Sequence, residues 1–130
     1  MKFYLAASFT IKNELREYAK ELRKLGHECT SRWLMERADP NIQMSPEDDY
    51  RKNAERDVED IFNSDAFVLF TVDPREFIKR GGKHFEAGYA FGLRKPIHVI
   101  GPNENIFYCM NEINHYTDWN NFKEEVLAGN

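Results

Sequence analysis

Within Arg80-Gly81-Gly82-Lys83-His84-Phe85-Glu86-Ala87-Gly88-Tyr89-Ala90-Phe91-Gly92 a single carboxylate, Glu86, stands among small, aromatic and basic residues. An acid in such company either decorates a helix end, as surface charges commonly do, or is partnered or functional. Phe85, Tyr89, Ala90 and Gly92 leave the helix little polar surface, and Ala87, Gly88, Ala90 and Gly92 let another element pack closely against it. Placed in the helix's first turn, Glu86 gains about 0.3 to 1 kcal/mol from the helix dipole, which favours its ionised form. An ionised carboxylate can act as a nucleophile.

Positioning that carboxylate requires a strand before the helix and another after it. Residues 66–72, Ala-Phe-Val-Leu-Phe-Thr-Val, read as a buried strand; Gly81 and Gly82 end the connection, and Pro96 introduces a second apolar run at 97–100. Elsewhere the same alternation holds. Residues 3–7 form a first strand, Ser8-Phe9-Thr10 a turn and cap, and a helix runs to Leu25 on the spacing of Leu15, Tyr18, Ala19, Leu22 and Leu25, stopped by Gly26. Residues 28–33 read as a second strand and 36–45 as a loop. Ser45-Pro46-Glu47-Asp48 starts a helix that buries Ala54, Val58, Ile61 and Phe62 and ends near Asn63. Residues 103–112 are a loop or short helix, His115-Tyr116 a last strand, and 119–127 a closing helix capped by Asp118. Five strands alternating with helices predict an α/β, flavodoxin-like three-layer fold with a five-stranded parallel sheet in the order 2-1-3-4-5. The switch point between strands one and three gathers residues 6–9, 71–73 and 81–86, so Glu86 is expected to face a ligand site.

Length and composition bound the rest. At 130 residues one domain is expected, spanning 1–130. A net charge of −4 disfavours nonspecific binding to nucleic-acid polymers or membranes, while a local basic pocket stays open. Cys29 and Cys109 fit no metal spacing, and reduced thiols in a cytoplasmic protein are expected. Met1-Lys2 runs directly into the first strand with no signal peptide, and no apolar run reaches transmembrane length. Neither a dinucleotide fingerprint nor a Walker loop is present, which argues against a dehydrogenase or an NTPase.

Phe3-Tyr4-Leu5-Ala6-Ala7-Ser8-Phe9, Ser64-Asp65-Ala66, Phe85-Glu86-Ala87-Gly88-Tyr89-Ala90 and Lys95-Pro96, in this order, resemble the nucleoside 2-deoxyribosyltransferases and the related nucleoside-monophosphate N-glycoside hydrolases. The resemblance covers nearly the whole chain. It implies that Glu86 is the nucleophile that attacks the anomeric carbon of the sugar, and that Asp57, eight residues before Asp65, donates a proton to the departing base. Breaking an N-glycosidic bond does need one carboxylate at the anomeric carbon and another group managing protons, as glycoside hydrolysis does. Asp57 also reads as a solvated acid among Glu55, Arg56, Glu59 and Asp60, and Asp60 is the neighbour with which it is most easily confused.

Further binding residues follow from position. Trp33 and Phe9 offer aromatic walls for a flat base, or core packing in the case of Trp33. Asp65 reads as a helix terminator, and Asp73 lines the pocket or makes a turn. Six residues before the nucleophile the transferases resemble one another in carrying an aspartate and the monophosphate hydrolases a serine; here Arg80 stands, whose planar cation suits a phosphate. Together with Ser8 and the backbone amides of Gly81 and Gly82, with Lys83 nearby, Arg80 forms a candidate anion site, or with Lys79 a solvated loop pair. His84 and His98 show no metal partners. The segment 103–110 resembles the part of the family that reaches into a neighbouring subunit, which implies a homodimer or higher homo-oligomer with Asn105 and Phe107 touching the partner's substrate; a helix packed on the chain's own core is the competing account. The expected activity is cleavage of the N-glycosidic bond of a 2'-deoxynucleoside or its 5'-monophosphate, with transfer to water or to another base and with no metal or other cofactor. A non-catalytic nucleotide sensor on the same scaffold is the alternative.

Overall fold

The computed structural model describes residues 1–35, 46–73 and 81–128. Its sheet is five-stranded and parallel, in the order β2-β1-β3-β4-β5, with β1 at Lys2–Ala6, β2 at Glu28–Cys29, β3 at Ala66–Phe70, β4 at Ile97–Ile100 and β5 at Ile113–Tyr116. The predicted α/β fold and strand order are therefore the observed ones. The central strands are apolar along their length because helices cover both faces. Phe3, Leu5, Phe67, Val68, Leu69 and Val99 are fully buried; each such side chain contributes about 1.5 to 3 kcal/mol through removal from water.

On one face, α1 (Lys12–Lys24) meets α4 (Trp119–Phe122), which continues as a π-helical turn, Lys123–Leu127. Trp119 stacks on Tyr18 at 4.5 Å and donates its indole N–H to Glu21 at 2.7 Å. Asp118 caps α4 as predicted, accepting from the amide of Asn121. Across the sheet, α2 (Pro46–Phe62) packs on α3 (Gly82–Gly92). Gly26, at a φ of 87°, turns the chain after α1. His98 of β4 is buried beside the Tyr116 hydroxyl, and burial pushes its pKa down to about 4, so it is a neutral core residue.

Several local expectations are corrected. The second strand stops at Cys29 instead of Trp33, because the Ser31 hydroxyl both accepts from the Leu5 amide at 2.7 Å and donates to the Leu5 carbonyl at 3.1 Å. That side chain takes the place of the next ladder pair, and Arg32–Met35 curl into a 3-10 turn. Ser8 precedes a 3-10 turn, Phe9–Ile11, without capping it; its hydroxyl pairs with that of Thr10. Strand β3 ends at Phe70, short of Val72. Leu25 is exposed. On α2, Ala54 and Phe62 face outward while Asp60 is buried, its carboxylate accepting from the Arg32 amide and guanidinium at 3.0 and 2.8 Å. Asp65 does more than end a helix: its carboxylate accepts from the Lys2 amide at 2.8 Å and ties the start of β1 to β3. The loop at 36–45, with Ser45, and Lys79 and Arg80 lie outside the described residues.

Candidate active site

A cleft of about 460 Å³ opens at the carboxyl edge of the sheet between the exit of β1 and the start of α3, where the strand order reverses. Its walls include Ser8, Phe9, Trp33, Asp57, Gly82 and Glu86, six of the residues expected from the sequence. Asn53, Arg56, Lys83 and His84 complete much of the rest. Asp73, Asn105 and Phe107 do not line it.

Glu86 is not in the first turn of its helix. Gly81, at a φ of 78°, is the N-cap and α3 begins at Gly82, which sets Glu86 in the second turn. The dipole argument for an ionised carboxylate therefore fails, and a side chain takes over: Tyr4, from the buried middle of β1, donates its hydroxyl proton to Glu86 Oε2. Burial pushes the Glu86 carboxyl up to about 7; the Asp57 charge adds to the rise, while the Tyr4 hydrogen bond and the Arg56 charge oppose it. Tyr4 itself is held far above the ordinary tyrosine range, first by burial and then by the charges of Glu86 and Asp57, so it stays a neutral donor. Tyr4 went unrecognised as a site residue because it reads as one more large side chain in an apolar strand. The available signal was a hydroxyl in a strand destined for full burial, which must find a partner.

Asp57 rather than Asp60 faces the cleft. Its Oδ1 accepts from Arg56 Nε at 3.2 Å and from Arg56 Nη2 at 2.9 Å. Trp33 is held by its indole N–H on the Leu5 carbonyl at 2.8 Å, and Phe9, 55% exposed, lies 6.3 Å from it by ring centroids. Lys12 sits over the other ring, 4.5 Å from the Phe9 centroid. Two aromatic rings thus line the cleft, Trp33 buried and Phe9 open to solvent.

Behind the start of α3 a second polar cluster grips the helix. Glu104 accepts from Lys83 Nζ at 2.7 Å and from the Val72 amide at 3.2 Å, with His84 Nε2 at 3.4 Å from its other oxygen. His84 Nδ1 lies 2.5 Å from the Tyr108 hydroxyl and 3.4 Å from Asn105 Nδ2. Asn105 also caps the 3-10 turn Ile106–Cys109, accepting from the Phe107 amide at 3.0 Å. Gly101 allows this loop to leave β4: its φ is 116°, and a Cβ there would lie 2.7 Å from Thr71 Oγ1. Lys83, read from the sequence as a cation for the anion site, is thus committed to Glu104.

Another hollow, of about 440 Å³, runs along α1 from Asn13 to Arg23 and reaches Met35. Lys20 there pairs with Glu17 and Arg16 donates to the Leu34 carbonyl; neither Glu86 nor Asp57 borders it. Among the described residues no cluster of histidine, cysteine and acidic side chains is suited to a metal, and no helix is long and apolar enough to cross a membrane.

A family model described as nucleoside 2-deoxyribosyltransferase matches residues 3–118. No curated protein matches the sequence. Among solved structures the chain is similar to a 2-deoxyribosyltransferase from the psychrotolerant bacterium Bacillus psychrosaccharolyticus, at 20% identity and a TM-score of 0.63 over 92% of this chain and 88% of that one. It is also similar to the CMP N-glycosidase BcmB of Clostridium botulinum, at 16% identity and a TM-score of 0.59 over 97% and 98%. At these identities both likenesses are likenesses of fold.

Proposed function

Because the chain belongs to the nucleoside 2-deoxyribosyltransferase family, we propose that it cleaves the N-glycosidic bond of a 2'-deoxynucleoside or its 5'-monophosphate through a glycosyl ester on Glu86. The observation that carries this reading is the cleft carboxylate with its tyrosine donor: Glu86 sits half-buried, held by Tyr4 and with its carboxyl raised to about 7, in the same cleft as Asp57. A poorly solvated carboxylate held by a tyrosine hydroxyl is a better nucleophile than one in water, and near pH 7 both of its protonation states are populated. Asp57 passes the proton to the leaving nitrogen. Phe9 and Trp33 sandwich or flank the base, and Ser8 and the Gly82 amide meet the sugar end. Water as acceptor gives hydrolysis, and a second base gives transfer.

Asn105 and Phe107 belong to this reading as contacts across a homodimer. What supports it is exposure: Ile106 and Phe107 are 77% and 63% exposed, and Phe85 of α3 is 69% exposed. Against it stands the hold of His84 on Asn105 within the same chain. Sedimentation across a concentration series tests the shared site; a fully active monomer rules it out.

The experiment that tests the activity is incubation with a panel of nucleosides and 5'-monophosphates, with and without an added base, followed by chromatography. Release of free base supports the reading. Ligand binding without turnover of any member would make the chain a nucleotide sensor instead.

A further inference from the structure

Arg56 is a cation of the cleft whose contacts the activity above leaves unused. Arg56 and Asp57 are successive residues of α2, so their side chains leave the helix axis about 100° apart, yet both line the cleft and the arginine folds over its neighbour. Two of its nitrogens meet the same oxygen, Asp57 Oδ1, at 3.2 and 2.9 Å. The two side chains keep only 20% and 25% of their exposure, which strengthens the pairing relative to a surface pair. Around them stand Tyr4 from β1, Lys83, His84 and Glu86 from α3, and Asp60 one turn along α2.

Resting on the activity proposed above, we propose that Arg56 is a positioning residue: its guanidinium fixes the Asp57 carboxylate in its ionised form, so that the proton needed for base departure enters the reaction on Glu86.

One proton suffices, and the balance closes. The neutral Glu86 carboxyl gives its proton to Asp57 and attacks the anomeric carbon; a C–O bond forms, the C–N bond breaks, and its electron pair leaves with the base nitrogen, which takes the proton from Asp57. Water then cleaves the ester, and the Glu86 carboxyl is restored with its proton. Arg56 opposes retention of the proton on Asp57 at every stage, which makes Asp57 a relay rather than a store. The direction of the Glu86 shift agrees, since burial and the Asp57 charge keep a proton on Glu86 near neutrality. An arginine suits this role better than a lysine because its planar fork fixes orientation as well as charge.

Two variants and two readouts test it. Carbon-13 NMR of aspartate labelled at the carboxyl follows the Asp57 titration directly, its resonance identified by its loss in Asp57→Asn. In Arg56→Met the Asp57 midpoint should rise by roughly one unit, since its paired cation is lost; in Arg56→Lys it should stay near the wild-type value. Turnover of substrates with poor leaving bases should fall roughly 10- to 150-fold in Arg56→Met, the effect of losing a charge-assisted hydrogen bond, with KM little changed and activated leaving groups less affected. Arg56→Lys should restore the alkaline limb of the pH profile but only part of kcat. An unmoved Asp57 midpoint in Arg56→Met overturns the proposal, as does a loss confined to KM for monophosphates, which would make Arg56 a phosphate ligand. The titration needs no turnover, so a wild type inactive on every substrate would sink the activity while leaving Arg56 to be decided by NMR.

Discussion

Glu86 and Glu104 are the same residue type, sit at the two sides of the same helix start, and are treated in opposite ways. Glu104, its side chain 1% exposed, accepts from an ammonium and a backbone amide through Oε2, while its buried Oε1 has only the His84 imidazole nearby, at 3.4 Å. Although burial raises its pKa, the Lys83 hydrogen bond, the Val72 amide and the charges of Lys83 and His84 outweigh that, and its carboxyl lies below the ordinary value. Glu86 has a phenol for a donor and an acid, Asp57, for a neighbour, and its carboxyl lies well above the ordinary value. Burial alone therefore does not mark a reactive acid. What separates the two is whether the fold supplies enough positive charge and donors to hold the anion.

The comparison is most severely tested by neutralising each acid. Glu86→Gln should cost several orders of magnitude in kcat while leaving the fold intact, because an amide cannot form the glycosyl ester; steady-state kinetics and circular dichroism check both halves. Glu104→Gln should cost about 3 to 5 kcal/mol of stability, because Lys83 is left beside it without its anion in a largely buried site; denaturant melts measure it.

The signs of the two pH dependences should also oppose. The unfolded Glu86 ionises near 4.5 and the folded one near 7, so between those values the native state binds more protons and stability falls as pH rises. Glu86→Gln should therefore gain on the wild type across that window, up to about 3 kcal/mol at one pH unit per 1.36 kcal/mol. For Glu104, whose folded pKa is lowered, the contribution is present above 4.5 and is lost as pH falls below it, so the deficit of Glu104→Gln should shrink in acid. Parallel melts at several pH values resolve both; His98 adds its own slope to all three proteins and cancels in the differences.

A smaller effect separates holding a carboxylate from being one. Tyr4→Phe should lower kcat roughly 10- to 150-fold, the cost of a lost hydrogen bond to a charged group, and should move the alkaline limb of the pH profile upward, because the protonated Glu86 starts the reaction and the Tyr4 donor opposes the rise of its pKa. A pH profile unchanged in Tyr4→Phe would mean that the hydroxyl plays no part in setting the charge of Glu86.

How much of this was legible in the sequence depended on whether the deciding interaction was local. The sheet order followed from apolar strands alternating with amphipathic helices, and Glu86 and Asp57 stood out by composition and by resemblance. Trp33 reads as the end of a strand because nothing local reveals that the Ser31 hydroxyl occupies both hydrogen-bonding groups of Leu5. Asp60 was a rival to Asp57 until the fold supplied Arg32, from a distant turn, as its partner. Tyr4 meets Glu86 across 82 positions, and no spacing rule reaches that far. Lys83 looked like a phosphate ligand because Glu104, which neutralises it, arrives from the loop after the fourth strand.

The central claim, that Glu86 and not another acid of the cleft carries the sugar, is tested most directly by trapping. A 2'-fluoro nucleoside or nucleotide substrate that reacts slowly, followed by proteolysis and mass spectrometry, should place a single fluorodeoxyribosyl group on the peptide containing Glu86, absent in Glu86→Gln. An adduct on Asp57, or base release with no covalent adduct on any residue under conditions where the ester should accumulate, would contradict the account.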